Sequence, residues 1–434
     1  MSIIGAMFSG ISGLNANSAA MEIIGNNLAN INTPAYKYSR AEFSDVLSKT
    51  LSNNITIGRG AQVTSTSRTF SQGGFQTTNN VTDLALSGEG FFMVRDTLTG
   101  DDLYTRAGNF VIDKNGFLVH PTGYRLQGFA LDEDGAISGV PEDIHVPQAP
   151  LEPKPSSEVT IYANLDSNST YVGPFNLADP VNTSNFTSAI TVYDSLGNAH
   201  QVTAYFTLQN APGPGGGQIW DYNIVVGADD SATGADAIAT SGTLEFTTDG
   251  ALQAHTVTVA SAFNFSGNPA QAQAIDFGFG TSIADGGTGV DGTTQYGSTS
   301  ALVFQSQDGY SSSYIEAIDI DSDGVVTSKY ANGESREYAR IAVVNFTSPE
   351  KLTHLGSNIY GSTVPSGEPV ISVANESGNG AIFANTLELS NVDIAQQFVE
   401  MITTQRGFQA TSRSISTSKD RKSTRLNSSH RIRY

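Results

Sequence analysis

Six histidines are the first residues to test for chemistry, and their spacing argues against it. His120, His145, His200, His255, His354 and His430 are never closer than 25 residues. No helical i, i+4 metal pair exists, and each reads as a structural histidine. Cysteine is absent, which excludes a disulfide framework, a thiolate metal site and a Cys nucleophile. The best metal candidate is Asp319-Ile-Asp321-Ser-Asp323-Gly324. It places oxygen ligands at positions one, three and five and Gly at six, like the opening of a calcium loop. Position twelve is Tyr330, where a bidentate Glu is required, and the flanks read as strands rather than helices. A plain β-turn is the stronger reading. Asp132-Glu133-Asp134-Gly135 is a weaker version of the same pattern. Gly88-Glu89-Gly90-Phe91-Phe92 lacks the third Gly and the following helix of a nucleotide loop, so it reads as a turn into a buried strand. Neither a Gly-x-Ser-x-Gly elbow nor a P-loop occurs. An enzyme is not expected, and no catalytic, cofactor-binding or metal site is assigned beyond the weak calcium candidate.

The elements fall into two ends and a middle. Near the N-terminus Met7, Leu14, Met21 and Leu28 recur every seven residues, and near the C-terminus so do Ile394, Met401, Phe408 and Ile415, thickened by Ala395, Phe398 and Ile402. Heptad spacing keeps an apolar seam toward a partner helix. Asn391 or Asp393 is the expected cap of the C-terminal helix, and Thr33-Pro34 the expected end of the N-terminal one. The first helix carries Gly5, Gly10, Gly13 and Gly25, each costing about 0.5–1 kcal/mol relative to Ala. Such a helix is weak alone but packs closely.

Between Gln62 and Phe383 the pattern is β. Runs such as Phe91–Val94, Ile190–Tyr193 and Ile341–Val344 fit strands, with Asn115-Gly116, Asp323-Gly324 and Asn332-Gly333 among the turn signals. Pro147–Pro155 and the Gly-rich Gly278–Gly297 read as linkers. The expected fold is α+β and mostly β, with paired, coiled-coil-like terminal helices and two β-rich domains, the outer one inserted in the first. The expected divisions are an N-terminal helical segment (1–60), a first β-domain (61–150 and 298–385), an inserted acidic β-domain (151–297), a C-terminal helix (386–418) and an atypical basic tail (419–434).

The formal charge is -20, which disfavours nucleic acid and anionic lipid as partners. From Pro155 to Ser328 there are 18 Asp and Glu and no Lys or Arg, while six of the 22 basic residues crowd the stretch from Lys419 onward. No apolar run approaches the ~20 residues of a membrane span, so no membrane insertion is expected. Met1–Gly13 has no basic residue ahead of its apolar ones, unlike a cleavable signal peptide.

The two ends carry a resemblance. Asn26-Asn27-Leu-Ala-Asn30-Ile-Asn-Thr33-Pro34-Ala35-Tyr36-Lys is similar to the N-terminal signature of the flagellar hook and rod axial family. Ala35 stands where that family usually has Gly, and because Ala avoids a left-handed backbone a slightly different turn is expected there. Gly88–Phe92, Tyr104–Phe110 and Leu126–Gly128 resemble the family's shared β-domain. Leu387-Glu388-Leu389-Ser390-Asn391-Val392-Asp393 and Gln405-Arg406-Gly407-Phe408 resemble its C-terminal signature. Asp194–His200 and Tyr330–Gly333 resemble segments of its hook members. The resemblance implies a secreted subunit that polymerises with itself. Its terminal helices line an axial channel, packing through Met7, Leu14, Met21, Leu28, Ile394, Phe398, Met401 and Phe408. It further implies contact with rod, hook-cap and hook-filament junction proteins and with the flagellar export apparatus, and a place at the cell exterior without a cleaved signal peptide. The large insert favours a hook subunit. A distal rod protein, a secreted β-rich adhesin or surface-layer protein, and a secreted hydrolase remain open. Residues 419–434 depart from the family pattern, lack its Leu/Met seam, and read as a foreign end such as translated adapter.

Overall fold

Two α-helices frame the described residues, which are otherwise strands, turns and two short 3-10 helices, Pro349–Lys351 and Val364–Ser366. The computed structural model describes residues 3–46, 49–51, 55–57, 59–132, 135–213, 216–267 and 272–430; the side chains of 3–6, 49–51, 55–57 and 420–430 lie outside it. The motif at Asp132–Gly135 is therefore only partly within the described residues. Helix α1 is Ile3–Ala29 and helix α2 is Ile394–His430. Two compact units form, one from residues 1–148, 316–329 and 335–434, the other from 149–315 and 330–334.

The helices pair antiparallel in the first unit, and small residues make the seam. A Cβ on Gly10 would lie 2.8 Å from Ile415 Cγ1, one on Gly13 3.2 Å from Thr411 Cγ2, and one on Gly407 3.1 Å from Asn17 Oδ1. Asn27 hydrogen-bonds Gln397 across the pair. With buried Ala20 and Ile24, the α1 residues 10, 13, 17, 20, 24 and 27 alternate three and four apart, a heptad seam. This corrects the sequence reading. Leu14, Met21 and Leu28 stand one position beside the seam, and with Met7 they are half-buried. On α2, Met401, Phe408 and Ile415 are half-buried, while Ile394 and Phe398 are 50% and 47% exposed. A search for apolar periodicity overlooks a seam built from Gly, Ala and Asn. Helix α1 stops at Ala29, ahead of Thr33-Pro34, and α2 runs through the basic stretch to His430 rather than ending at 418.

The main sheet of the first unit is antiparallel at its centre. Ser335–Asn345 pairs with Arg125–Leu131, Phe91–Arg95 and Val370–Val373, and Phe91–Arg95 pairs with Asp102–Thr105. Ala342, Val343 and Val344 are all buried, so this strand is covered on both faces. Phe91, Met93, Tyr104, Phe346, Leu352 and Tyr360 form one core cluster. Gly90 has φ +121°, and a Cβ there would meet Val343 Cγ1 at 2.6 Å, which explains the glycine before the paired phenylalanines.

In the second unit five strands run in chain order: Phe186–Tyr193, Ala199–Pro212, Gly216–Val226, Ala237–Thr247 and Leu252–Val259. A three-stranded sheet places Glu158–Asn164 between Asp276–Gly278 and Ala301–Gln307. One core takes residues from both sheets, including Val159, Ile161, Phe206, Trp220, Ile224, Leu244 and Phe279. Two expectations change here. Residues 298–315 belong to this unit, because Ala301–Gln307 pairs with Glu158–Asn164. The Gly-rich stretch is not a linker. Gly280 and Gly292 pack backbone against backbone, and Thr293 Oγ1 donates to the Ile161 carbonyl at 3.1 Å.

His120, in the first unit, lies against the edge of Phe110, and its Nδ1 is 2.7 Å from Thr122 Oγ1. Burial pushes its pKa down from the ordinary 6.5 to about 4. Between those values the unfolded chain takes up a proton that the folded chain refuses, so this residue makes stability fall as pH drops through the window and has no effect above it. His120→Gln should flatten that part of the stability–pH profile. Urea midpoints followed by circular dichroism from pH 7 to 4 measure the difference from wild type.

Candidate functional site

The two terminal signatures meet at one junction in the first unit. At the end of α1 the Asn30 side chain donates to the Asn26 carbonyl (2.9 Å) and to Asn26 Oδ1 (3.1 Å), and accepts from Thr33 Oγ1 (3.1 Å). These short polar residues satisfy the helix end locally. The Pro34 carbonyl accepts from Asn358 Nδ2 at 2.7 Å. Ala35 is buried with φ +55°, and its N–H donates to the Glu388 carbonyl at 2.8 Å. The expectation that Ala avoids the left-handed backbone is thus corrected: the junction holds it there, at about 1–2 kcal/mol of local strain.

Asn27 is fully buried and uses its whole amide. Its Nδ2 donates to the Ser39 carbonyl (2.7 Å) and Gln397 Oε1 (3.0 Å), and its Oδ1 accepts from Ser39 N (3.1 Å) and the Tyr36 hydroxyl (3.2 Å). Asn26 Nδ2 also donates to the Tyr36 hydroxyl at 3.2 Å. From the other terminus, Asn391 Oδ1 accepts from Tyr38 N (2.7 Å), while its Nδ2 donates to the carbonyls of Thr69 (2.9 Å) and Ser71 (3.0 Å). Asn391 is therefore a bridge between segments and not a helix cap. Asp393 is the cap, its Oδ1 accepting from the backbone N–H groups of Ala395 (2.8 Å) and Gln396 (3.1 Å). Ser390 Oγ accepts from Val392 N at 3.4 Å, and Val392 is buried. Gln405 and Arg406 sit exposed on α2, away from the junction.

Sequence reasoning missed the charged centre. Lys37 Nζ lies 2.6 Å from Glu388 Oε1, with both side chains 0% exposed. Lys37 also donates to the Ser71 carbonyl (3.0 Å), and Gly73 N donates to Glu388 Oε1 (2.8 Å). Arg106 NH1 stands 3.8 Å from Glu388 Oε2, and its guanidinium lies over the Phe91 ring. Burial pulls the pKa of both Lys37 and Arg106 down, opposed by the Glu388 charge. All three residues lie inside recognised motifs, but nothing in their spacing announces that they meet.

The calcium candidate does not assemble. Asp321 Oδ1 accepts from the N–H groups of Asp323 (2.9 Å) and Val325 (2.8 Å), Asp319 pairs with Lys329 (2.7 Å), and Asp323 accepts from Asn375 Nδ2 (2.6 Å). Each carboxylate is turned to its own task. The same Asp-x-x-Gly turn recurs at Asp113 and Asp194, with Gly116, Gly197 and Gly324 at φ +86°, +81° and +79°. Among the described residues no group of three or more His, Asp or Glu is placed to hold a metal ion. Asp321→Ala should lower stability by about 1 kcal/mol, equally with and without millimolar calcium, and calcium should leave the wild-type Tm unmoved in scanning calorimetry.

Four family models match in chain order. "Flagella basal body rod protein" covers residues 7–37 and "Flagellar hook protein FlgE/F/G D1 domain" 85–164. "Flagellar basal body protein FlaE D2 domain" covers 164–310 and "Flagellar basal body rod FlgEFG protein C-terminal" 384–428. The flagellar hook protein FlgE of Treponema pallidum is 32% identical, over 95% of this chain and 97% of its own. That of Borreliella burgdorferi is 31% identical over the same shares. The chain belongs to the flagellar hook protein family. The crystal structure of the Helicobacter pylori flagellar hook protein FlgE2 covers 71% of this chain and 98% of its own, with a TM-score of 0.53 at 15% identity, a likeness of fold. In this hook-family chain the junction described above is built from the two terminal matched segments, 7–37 and 384–428. Among the described residues no helix is long and apolar enough to cross a membrane.

Proposed function

We propose that the chain is a non-enzymatic structural subunit that polymerises with itself into the flagellar hook, the flexible tube between rod and filament. The observation that carries the reading is apolar surface left over after the helices pair. Ile394, Phe398, Val399 and Ile402 lie on α2 with about half or more of their surface open, and on α1 Phe8 and Ile11 are also exposed. A full burial contributes roughly 1.5–3 kcal/mol per side chain, and only further copies supply it. Met7, Leu14, Met21, Leu28, Met401 and Phe408, half-buried in one chain, complete their burial in the same way. The terminal segments then line the channel, and Gln405 and Arg406 face neighbouring copies. Rod, hook-cap and hook-filament junction proteins are the partners at the tube's ends. The flagellar export apparatus delivers the chain to the cell exterior.

Electron microscopy of the purified protein under polymerising conditions tests this: short curved tubes are expected. Straight rigid tubes would favour a distal rod role, and absence of polymer a surface adhesin. Hydrogen exchange at 7–24 and 401–418, beyond the Asn27–Gln397 contact, should be fast in monomer and slow in polymer; strong protection there in the monomer contradicts assembly-driven ordering.

A further inference from the structure

We propose that Lys37, Glu388 and Arg106 form a one-way latch: the N-terminal junction segment docks only after the C-terminal one is in place. Two cations share one carboxylate in a dry site. Take the C-terminal segment away and Lys37 and Arg106 remain together with no carboxylate in contact, Glu89 acting on Arg106 only from farther off. Take the N-terminal segment away and Glu388 still faces Arg106 and still accepts from Gly73 N. A buried charge without a partner is far more costly than a pair, so the two dockings are unequal. Backbone contacts tie the two segments in both directions: Ala35 N donates to the Glu388 carbonyl, Tyr38 N to the Asn391 side chain, and Asn391 N to the Tyr36 carbonyl. Each segment also has a ladder of its own, Ser39–Asp45 with Ala61–Arg68 and Thr386–Glu388 with Phe75–Thr77, so the inequality lies in the charges. A chain made from its N-terminus onward therefore keeps its first segment undocked until residue 388 arrives. This inference concerns the order of docking within one chain and does not depend on polymerisation.

Hydrogen exchange by mass spectrometry on the full-length monomer tests it through three variants. Glu388→Gln should speed exchange on the order of a hundredfold at both 31–39 and 386–393. Lys37→Met removes the surplus cation, and 386–393 should stay within about tenfold of wild type. Lys37→Met combined with Glu388→Gln should regain part of the protection lost in Glu388→Gln alone, a comparison that holds even where the single variant loses its whole first unit. Release of 386–393 by Lys37→Met as large as that by Glu388→Gln would overturn the one-way order. So would protection of 31–39 surviving Glu388→Gln, or a double variant no better protected than Glu388→Gln.

Discussion

Gly10→Leu should abolish tube formation while leaving the second unit folded. The position has no room: a bare Cβ would already sit 2.8 Å from Ile415 Cγ1, and three further carbons must go somewhere. Overpacking of this kind costs typically 1–3 kcal/mol in a rigid core. Here the cheaper response is for α1 and α2 to part, which destroys the surface they jointly offer. The same helix contains its own control. Gly25 has nothing within 4 Å of its Cβ position, so Gly25→Ala should gain about 0.5–1 kcal/mol of helix stability and leave assembly intact. Two glycine substitutions in one helix are thus expected to act with opposite sign. Electron microscopy of the polymer and helical circular dichroism read the first unit. The single tryptophan, Trp220, is fully buried in the core of the second, so its emission should not change in either variant.

Asn27→Leu is expected to cost roughly 3 kcal/mol, a large share of the 5–15 kcal/mol that holds an ordinary domain together. Leucine has the branched outline of asparagine but bulkier methyl groups, and it provides none of its four hydrogen bonds. The Ser39 N–H and carbonyl lose their partner inside a buried site. Gln397 Oε1 loses its donor as well, its Nε2 alone staying bonded to Glu400, while the Tyr36 hydroxyl keeps Asn26, which limits the loss. Asn26→Ala, at an exposed position, should cost under about 1 kcal/mol. Denaturant midpoints of the two variants, followed by far-ultraviolet circular dichroism, distinguish a junction governed by one buried amide from one in which all the motif asparagines count equally.

The legible parts of this molecule were those encoded locally. Strand runs such as Phe91–Val94 and Ile341–Val344 lie in strands, Asn115-Gly116 sits in a turn, and the terminal motifs come together. What escaped was encoded by absence or by distance. The α1 seam consists of residues chosen for being small, so a search for large apolar side chains settled one position aside, on Leu14, Met21 and Leu28. Gly280 and Gly292 looked like linker residues because composition does not tell a flexible glycine from one pressed against another backbone. Glu388 stands hundreds of residues beyond Lys37 and Arg106 in the chain, and no spacing rule joins the three. The Asp319–Gly324 resemblance to a calcium loop misled for a chemical reason: a carboxylate that accepts backbone N–H groups to close a turn has the same sequence pattern as one that accepts a cation.

The strand order of the second unit has a kinetic meaning. Its five-stranded sheet joins each strand only to its chain neighbours, so its contact order is low and its search is short. The first unit is the opposite case, since Phe91–Arg95 must wait for Ser335–Asn345 and Phe75–Thr77 for Thr386–Glu388. A chain that starts unfolded would therefore acquire a finished nucleus in its middle while its ends were still searching, and the ends would be the last part free to choose between their own chain and a neighbouring copy.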